Sequence, residues 1–459
     1  EQESAKDVEA VDKENGVPKL RGGQLTLKES FNRRLLRFMC VDGRAFDILK
    51  GRGFQHLVKQ LCLAFNLPCV DTMKARLNDF YELYKQKFVN ELTKVEQVAL
   101  TCDIWTEGMA CRSFLGITAH FLESNCLRGK ILTTVELSER HTSECIASQL
   151  EATCQQFGID KRKISCIVTD NAANMVAAVN NFVGTHKHLP CFAHTLNLFF
   201  KNSVVYSDEL PPAFPSALQL ETVEQIVNVL KPMEFVTNQI SGEKYITVSK
   251  IIPIIRNLRA ELSEFTKEEH KLTRQVKAIL CQQVDRRFKH IENNGIIAIS
   301  CLLDPRFKKV PFQDPIACSR AVSHLYDLAK TTIDVTESVN TVEEENSKYD
   351  FWARYKELAQ RSAATKSVSD VSELSLYLSG SVSPLNSDPL KEWDNFKIIY
   401  PTLYKIAREY LHIPATSVPS ERLFSKAGLT ITKLRNRLAG KKLNQILFLS
   451  DLNDMEWGV

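Results

Sequence analysis

Apolar positions fall into three patterns along this chain. Between residues 25 and 95 they recur at helical spacing. In GFQHLVKQLCLAF, Phe54, Leu57, Leu61 and either Ala64 or Phe65 lie three or four apart, which predicts a helix with one face on a core. ARLNDFYELYKQKFVNELTK predicts a second helix, with Leu77, Phe80, Tyr81, Tyr84 and Phe88 on one side. The pattern then changes. QVALTCD alternates Val98, Leu100 and Cys102, and RSFLGITAHFL and GKILTTVEL follow after short polar breaks. Three β-rich runs so close together predict an antiparallel meander. A helix is expected next, capped by Thr142 or Ser143 and ended by Gly158. KISCIVTD reads as a fully buried strand of the parallel kind, NAANMVAAVNNFV as a helix and HLPCF as a short strand. The order β-β-β-α-β-α-β-α defines an α/β layered domain with a mixed sheet.

From about residue 205 to 370 the strands vanish and helical spacing returns, predicting an all-α insertion. The Ser-rich stretch 361–389 reads as a loop. Helices resume over 390–459. Pro401 opens one whose apolar face is Leu403, Ile406, Ala407, Tyr410 and Leu411, Pro419 opens the next, and residues 441–452 form a last one. The expected divisions are a solvated linker over 1–24, a helical DNA-binding or dimerisation region over 25–95, the first part of the α/β core over 96–204, the all-α insertion with its Ser-rich loop over 205–389, and a closing region over 390–459.

Composition narrows the class. The chain has 459 residues, 44% hydrophobic and 25% charged, which excludes collagen-like, disordered and coiled-coil readings. No apolar run reaches the roughly 18 residues needed to span a bilayer. The 13 cysteines are scattered, without a CxxC pair, and Cys102, Cys166 and Cys301 sit in apolar runs, as reduced thiols of an intracellular protein do. The chain starts at Glu1 rather than Met, which reads as a fragment. The net charge is only +4, so a polyanionic partner would have to be met locally. Residues 397–442 supply the means: Lys397, Lys405, Arg408, Arg422, Lys426, Lys433, Arg435, Arg437, Lys441 and Lys442 stand against only Glu409 and Glu421. A second patch is Arg33, Arg34 and Arg37. A solvated helix face is the bland alternative for such runs.

The candidate chemistry is acidic. Asp103 and Asp170 each follow an apolar run at an expected strand end, where ligands bind in α/β domains. If the first and fourth strands pair, the two carboxylates meet, and a hard divalent cation between them would relieve their repulsion. Each Asp alone also reads as a turn or cap residue, and Glu421 alone as a helix-dipole acid. CFAH, Cys191 to His194, has half the ligands of a zinc site and no matching pair nearby. Trp105 could stack on an unpaired base or cover the core, with core packing preferred. Asn171 and Asn174 could hold the Asp170 turn or contact DNA, with the turn preferred.

LTCDIWTE, SFLGITAHF, IVTDNAANM, LPCFAHTLNL and ATSVPSERLFSKAGLTITKLRNRL, in this order from about residue 40 onward, together resemble hAT-superfamily DNA transposases and their relatives with a BED-type zinc finger. The resemblance implies an RNase H-like mixed-sheet core interrupted by a large all-α insertion, and a C-terminal region that completes the core and dimerises. It implies a catalytic and metal-binding triad of Asp103, Asp170 and Glu421 holding two Mg²⁺ (or Mn²⁺) ions. Cys191, His194 and Trp105 would lie near the pocket, with His194 orienting a phosphate or assisting proton transfer. The alternative for the CxxH pair is that Cys191 is core and His194 packs at a helix start. Arg422, Lys426, Lys433, Arg435, Arg437, Lys441 and Lys442 would contact DNA. The function implied is cleavage of transposon ends and strand transfer into target double-stranded DNA by a nuclear homodimer or larger homo-oligomer. A nuclear, dimerising regulator without catalysis would share every motif, and a protein-interaction scaffold is a weaker third reading. The chain departs from the family pattern at Glu392, beside Trp393, where a second Trp is common. No Cys and His pairs precede Cys40, so sequence-specific binding is expected to reside outside this chain.

Overall fold

The computed structural model describes residues 10, 11, 18, 19, 26–61, 65–108, 110–138, 140–203, 216–266, 269–334, 369–431, 435 and 438–458. At its centre is a five-stranded mixed sheet: β1 (Val98–Thr106), β2 (Ser113–Glu123), β3 (Cys126–Leu137), β4 (Ile164–Thr169) and β5 (His188–Pro190). Its spatial order is β3-β2-β1-β4-β5. The expected meander is present, with β1–β2 and β2–β3 antiparallel. β4 pairs parallel to β1, and β5 parallel to β4. The helix Ser143–Phe157 makes the crossover to β4. Thr142 caps it by accepting from the Cys145 N–H, and Gly158 ends it with a left-handed φ of 65°.

The period-two pattern sorts β1 onto two faces. Val98, Leu100, Cys102 and Ile104 pack with the helices Leu27–Val41, Val70–Thr93 and Ser143–Phe157. The opposite face of β1 carries Thr101, Asp103 and Trp105, and C-terminal helices cover it. The helix Val418–Thr430 sets Leu423, Phe424 and Ala427 against Phe114 and Trp105. The helix Gly440–Ser450 runs beside the edge strand β3, where Asn444 accepts from the Thr134 N–H at 2.8 Å and Asp451 from the Ile131 N–H at 3.1 Å. These bonds occupy an edge that would otherwise offer itself to another strand.

Among the described residues from 216 to 334 the regular elements are all helical: the helices Ala217–Ile240, Ile251–Ser263, Lys271–Phe288, Gly295–Leu303 and Pro315–Asp334, with short 3-10 turns. They share a core with Trp393, Leu403, Ile406 and Ala407 of the C-terminal region. Asp304 and Lys308 tie this core together. Asp304 is fully buried and accepts from Ser249 Oγ (2.6 Å), Arg306 Nη2 (2.7 Å), Arg306 Nε (2.9 Å) and the Arg306 N–H (3.0 Å). Lys308 Nζ donates to the carbonyls of Tyr377, Gly380 and Ser381, and Trp393 Nε1 to that of Leu303.

Four expectations shift. The helix Arg52–Leu61 packs through Phe54, which stacks on Phe38, and buries Val58, while Leu57 and Leu61 of the expected face stay exposed. Residues Ser369–Ser379, inside the stretch read as a loop, form a helix that buries Leu374 and Tyr377. Within the expected linker, Ala10–Val11 pairs with Pro18–Lys19 in a two-residue ladder. β1 runs to Thr106, so Asp103 lies inside the strand rather than at its end.

Candidate functional site

Strand register brings the two aspartates together. The parallel ladder between β1 and β4 ends at the pair Thr101 and Val168. Two residues further along each segment stand Asp103 and Asp170, side by side at the carboxyl edge of the parallel pair, where β4 has ended and β1 continues against β2 alone. Asp103 Oδ1 accepts from the Ile104 N–H at 2.8 Å, and Asp170 Oδ1 from the Ala172 N–H at 3.2 Å. Asp170 therefore shapes the turn before the helix Ala173–Val183 but is not its N-cap, which is Ala172. Asn171 donates to Thr195 Oγ1 and Asn174 to the His141 carbonyl, so both hold the turn.

Glu421 reaches this edge because the helix Val418–Thr430 lies close on the sheet. Gly116, the β2 partner of Asp103, permits it: a Cβ there would stand 2.8 Å from Phe424 and 2.9 Å from Leu423. Beside Glu421, Ser420 Oγ shares a 2.7 Å hydrogen bond with Thr101 Oγ1, which also bonds Thr118 at 2.6 Å. Trp105 stacks on Phe424 and Phe114, at centroid distances of 6.0 and 5.9 Å, so its role here is to anchor that helix. Glu421 itself is exposed, while Asp103 and Asp170 are half-buried.

Burial pushes the Asp103 carboxyl up to about 7, and the charges of Asp170 and Glu421 add to the effect. Both other acids thus act electrically on Asp103. Among the described residues no three His, Cys, Asp or Glu side chains are gathered so as to hold a metal ion as they stand. The donor chemistry nevertheless fits Mg²⁺ or Mn²⁺: carboxylate oxygens, around a half-buried acid whose charged neighbours among the described residues are also acids.

Cys191 is a buried junction. Its Sγ accepts from the Ser417 N–H (3.3 Å) and the His194 N–H (3.4 Å), and the next residue's N–H, Phe192, bonds the Ala415 carbonyl. Burial raises its thiol pKa, and Glu421 adds to the rise. Cys191 thereby fixes the strap 415–417 that leads into the Glu421 helix, a role the sequence does not announce. His194 is half-buried on the first turn of the helix Phe192–Ser203.

The basic residues separate. Arg422 bonds Glu243 and the Ser241 carbonyl, Arg435 the Gly43 carbonyl at 2.7 Å, and Lys442 the Asn78 side chain at 2.7 Å. Lys426 and Lys441 are exposed, and Lys433 and Arg437 lie outside the described residues. In the second patch Arg33 bonds the Trp457 carbonyl and Arg37 pairs with Asp454. Glu392 accepts from the Ser383 hydroxyl within the chain. The twelve described cysteines are free. No described helix is long and apolar enough to cross a membrane.

The mixed α/β sheet carries Asp103 and Asp170 at the carboxyl edge of its parallel pair, and the helix that bears Glu421 packs on the sheet's face. Comparison with known proteins finds two matching domain families. Residues 101–191 match the ZBED1 RNase-like domain and residues 373–452 the hAT family C-terminal dimerisation region. A Zea mays protein named for the AC transposase is 21% identical over 88% of this chain and 63% of its own length. The Homo sapiens zinc finger BED domain-containing protein 4 is 19% identical over 90% of this chain and 43% of its own. A Talaromyces stipitatus protein named as a transcriptional regulator is 25% identical over 36% of this chain and 21% of its own. Two regions of the chain thus match an RNase-like domain and a hAT dimerisation region, and its matches among known proteins include AC transposases and BED zinc finger proteins. It spans 63% of the length of the maize relative.

Proposed function

We propose that this chain is the catalytic and dimerising part of a hAT-like DNA transposase that acts in the nucleus on transposon ends and target double-stranded DNA. The observation that supports this reading is the register that sets Asp103 beside Asp170 at the sheet's carboxyl edge, with the Asp103 carboxyl pushed up by burial and by the charges of Asp170 and of Glu421, more than 200 residues further on. Asp103 and Asp170 offer oxygens from the sheet, and Glu421 offers its own from the opposing helix. Bound there, Mg²⁺ or Mn²⁺ (two ions, as the resemblance implies) supplies stabilisation of the attacking and leaving oxygens in phosphodiester cleavage and strand transfer. The exposed Lys426, on the Glu421 helix, and Lys441, on the next one, are placed to neutralise backbone phosphates. His194, on the helix that follows β5, would orient a phosphate or carry a proton.

A DNA-binding, dimerising regulator is the second reading. It is favoured by the relative named as a transcriptional regulator. One experiment separates the two. The chain, joined to its full-length context, is incubated with labelled transposon-end DNA and Mg²⁺ or Mn²⁺. The transposase reading expects cleavage that EDTA abolishes and that Asp103→Ala, Asp170→Ala and Glu421→Ala each lower by about 100-fold or more. Binding without cleavage in the unaltered protein establishes the regulator.

A further inference from the structure

Arg422 is the residue next to Glu421, in the basic run that resembles a DNA contact, yet its guanidinium points back into the chain. Nη1 pairs with Glu243 and Nη2 donates to the Ser241 carbonyl at 2.8 Å. Both partners lie in the turn that leaves the long helix Ala217–Ile240. The same turn holds the other side of the strap. Thr247 Oγ1, in a buried position, accepts from the Ala415 N–H at 2.9 Å. Residues 241–247 therefore grip the chain on both sides of the Glu421 helix's start, at 415 before it and at 422 just after the acid.

The turn is built to be stiff. Gly242 lets the Tyr245 ring fold over it, since a Cβ at 242 would stand 2.1 Å from the ring. The Tyr245 hydroxyl then bonds the Asn238 carbonyl at 3.0 Å, and Lys250 Nζ sits 4.4 Å from the ring centroid. Thr247 and its neighbour Val248 are buried. The sheet holds the Glu421 helix through Ser420, Leu423 and Phe424 on its buried face, whereas Glu421 and Arg422 lie on its exposed face. A guanidinium held at two points adds a constraint on that exposed side, because its planar fork sets an angle as well as a distance.

We propose that residues 241–247 form a brace that sets the orientation of Glu421, with Arg422, Glu243 and Thr247 as positioning residues for the metal-dependent reaction rather than contacts to DNA. The proposal rests on the transposase reading of the acidic edge. A carboxylate displaced by about 1 Å can lose on the order of 100-fold in rate, so a brace of this kind has measurable leverage.

The test uses the full-length protein, carrying Arg422→Ala, Glu243→Ala, Thr247→Val or the exchanged pair Arg422→Glu with Glu243→Arg. Four quantities are read: melting temperature, Kd for end DNA without divalent ion, Mn²⁺ affinity from the free-ion resonance signal, and single-turnover cleavage rate. The brace predicts that Arg422→Ala and Glu243→Ala lower both cleavage rate and Mn²⁺ affinity by about tenfold, with DNA Kd unchanged, and that the exchanged pair regains most of the loss. Thr247→Val, nearly isosteric, should lower rate and Mn²⁺ affinity in the same direction with a cooperative melt retained. Arg422→Ala that weakens DNA binding at unchanged Mn²⁺ affinity makes Arg422 a DNA contact and overturns the proposal. So do variants whose rate and Mn²⁺ affinity match the unaltered protein while that protein cleaves. An unaltered protein that neither binds Mn²⁺ nor cleaves removes the transposase reading itself, and the brace with it.

Discussion

Two aspartates of this molecule meet opposite fates. Asp304, in the helical region, is fully enclosed and has both oxygens occupied by Arg306, Ser249 and a backbone N–H. Asp103, at the sheet's edge, has one backbone bond and two acidic neighbours, and its carboxyl is pushed up to about 7. A compensated charge holds structure together, because removing its partner strands another charge. An uncompensated one raises the free energy of the fold and persists where another group is to supply the missing charge.

The contrast breaks first at Asp304. Asp304→Ala leaves Arg306, whose side chain is 8% exposed, without its carboxylate, and should cost about 3–5 kcal/mol in urea titration. Gly116→Ala should cost about 2–3 kcal/mol, because the added methyl meets Phe424 and Leu423 below contact distance. It should also lower Mn²⁺ affinity by moving Glu421.

Asp103→Asn should do the reverse of Asp304→Ala and stabilise the protein, by about 2 kcal/mol at pH 8 after allowance for water at the open edge. The sign follows from its titration near 7 when folded against the ordinary 3.8. The folded protein holds that proton more tightly, so stability is full below about pH 4 and falls as pH rises through 7. The gain from Asn should therefore vanish at pH 4, and melting curves across this range check it; a destabilised Asp103→Asn at pH 8 would show that Asp103 is compensated after all. The smallest effect belongs to Thr101→Val, about 1 kcal/mol, from the lost bonds to Ser420 and Thr118.

Much of the acidic edge was legible because its causes are local. An apolar run followed by Asp, twice, is a strand-level signal, and KISCIVTD reads as a buried parallel strand, but its pairing beside β1 comes only from the fold. Glu421 was readable only through the resemblance, since nothing in SERLFS points to a sheet some 300 residues earlier. The fate of the basic run was not legible. Arg422, Arg435 and Lys442 look alike in sequence, and only the fold gives them partners at Glu243, Gly43 and Asn78, with the Arg422 side chain still 51% exposed. The helix Ser369–Ser379 escaped for a similar reason: its Ser-rich composition favours turns, and burial of Leu374 and Tyr377 against distant residues overrides that preference.

The C-terminal cover of the sheet also governs how the chain is made. Ile446, Phe448, Leu449 and Trp457 share one apolar cluster with the helices of the first hundred residues and with β1. The Tyr84 hydroxyl donates to the Glu456 carbonyl. During synthesis the sheet emerges early, yet the residues that seal its flank leave the ribosome about 300 residues later, at a pace of roughly 5–20 residues per second. For tens of seconds the nascent chain carries an open apolar flank and an unguarded strand edge at β3. Those seconds, more than the finished fold, are when this protein is most exposed to aggregation and most dependent on chaperones.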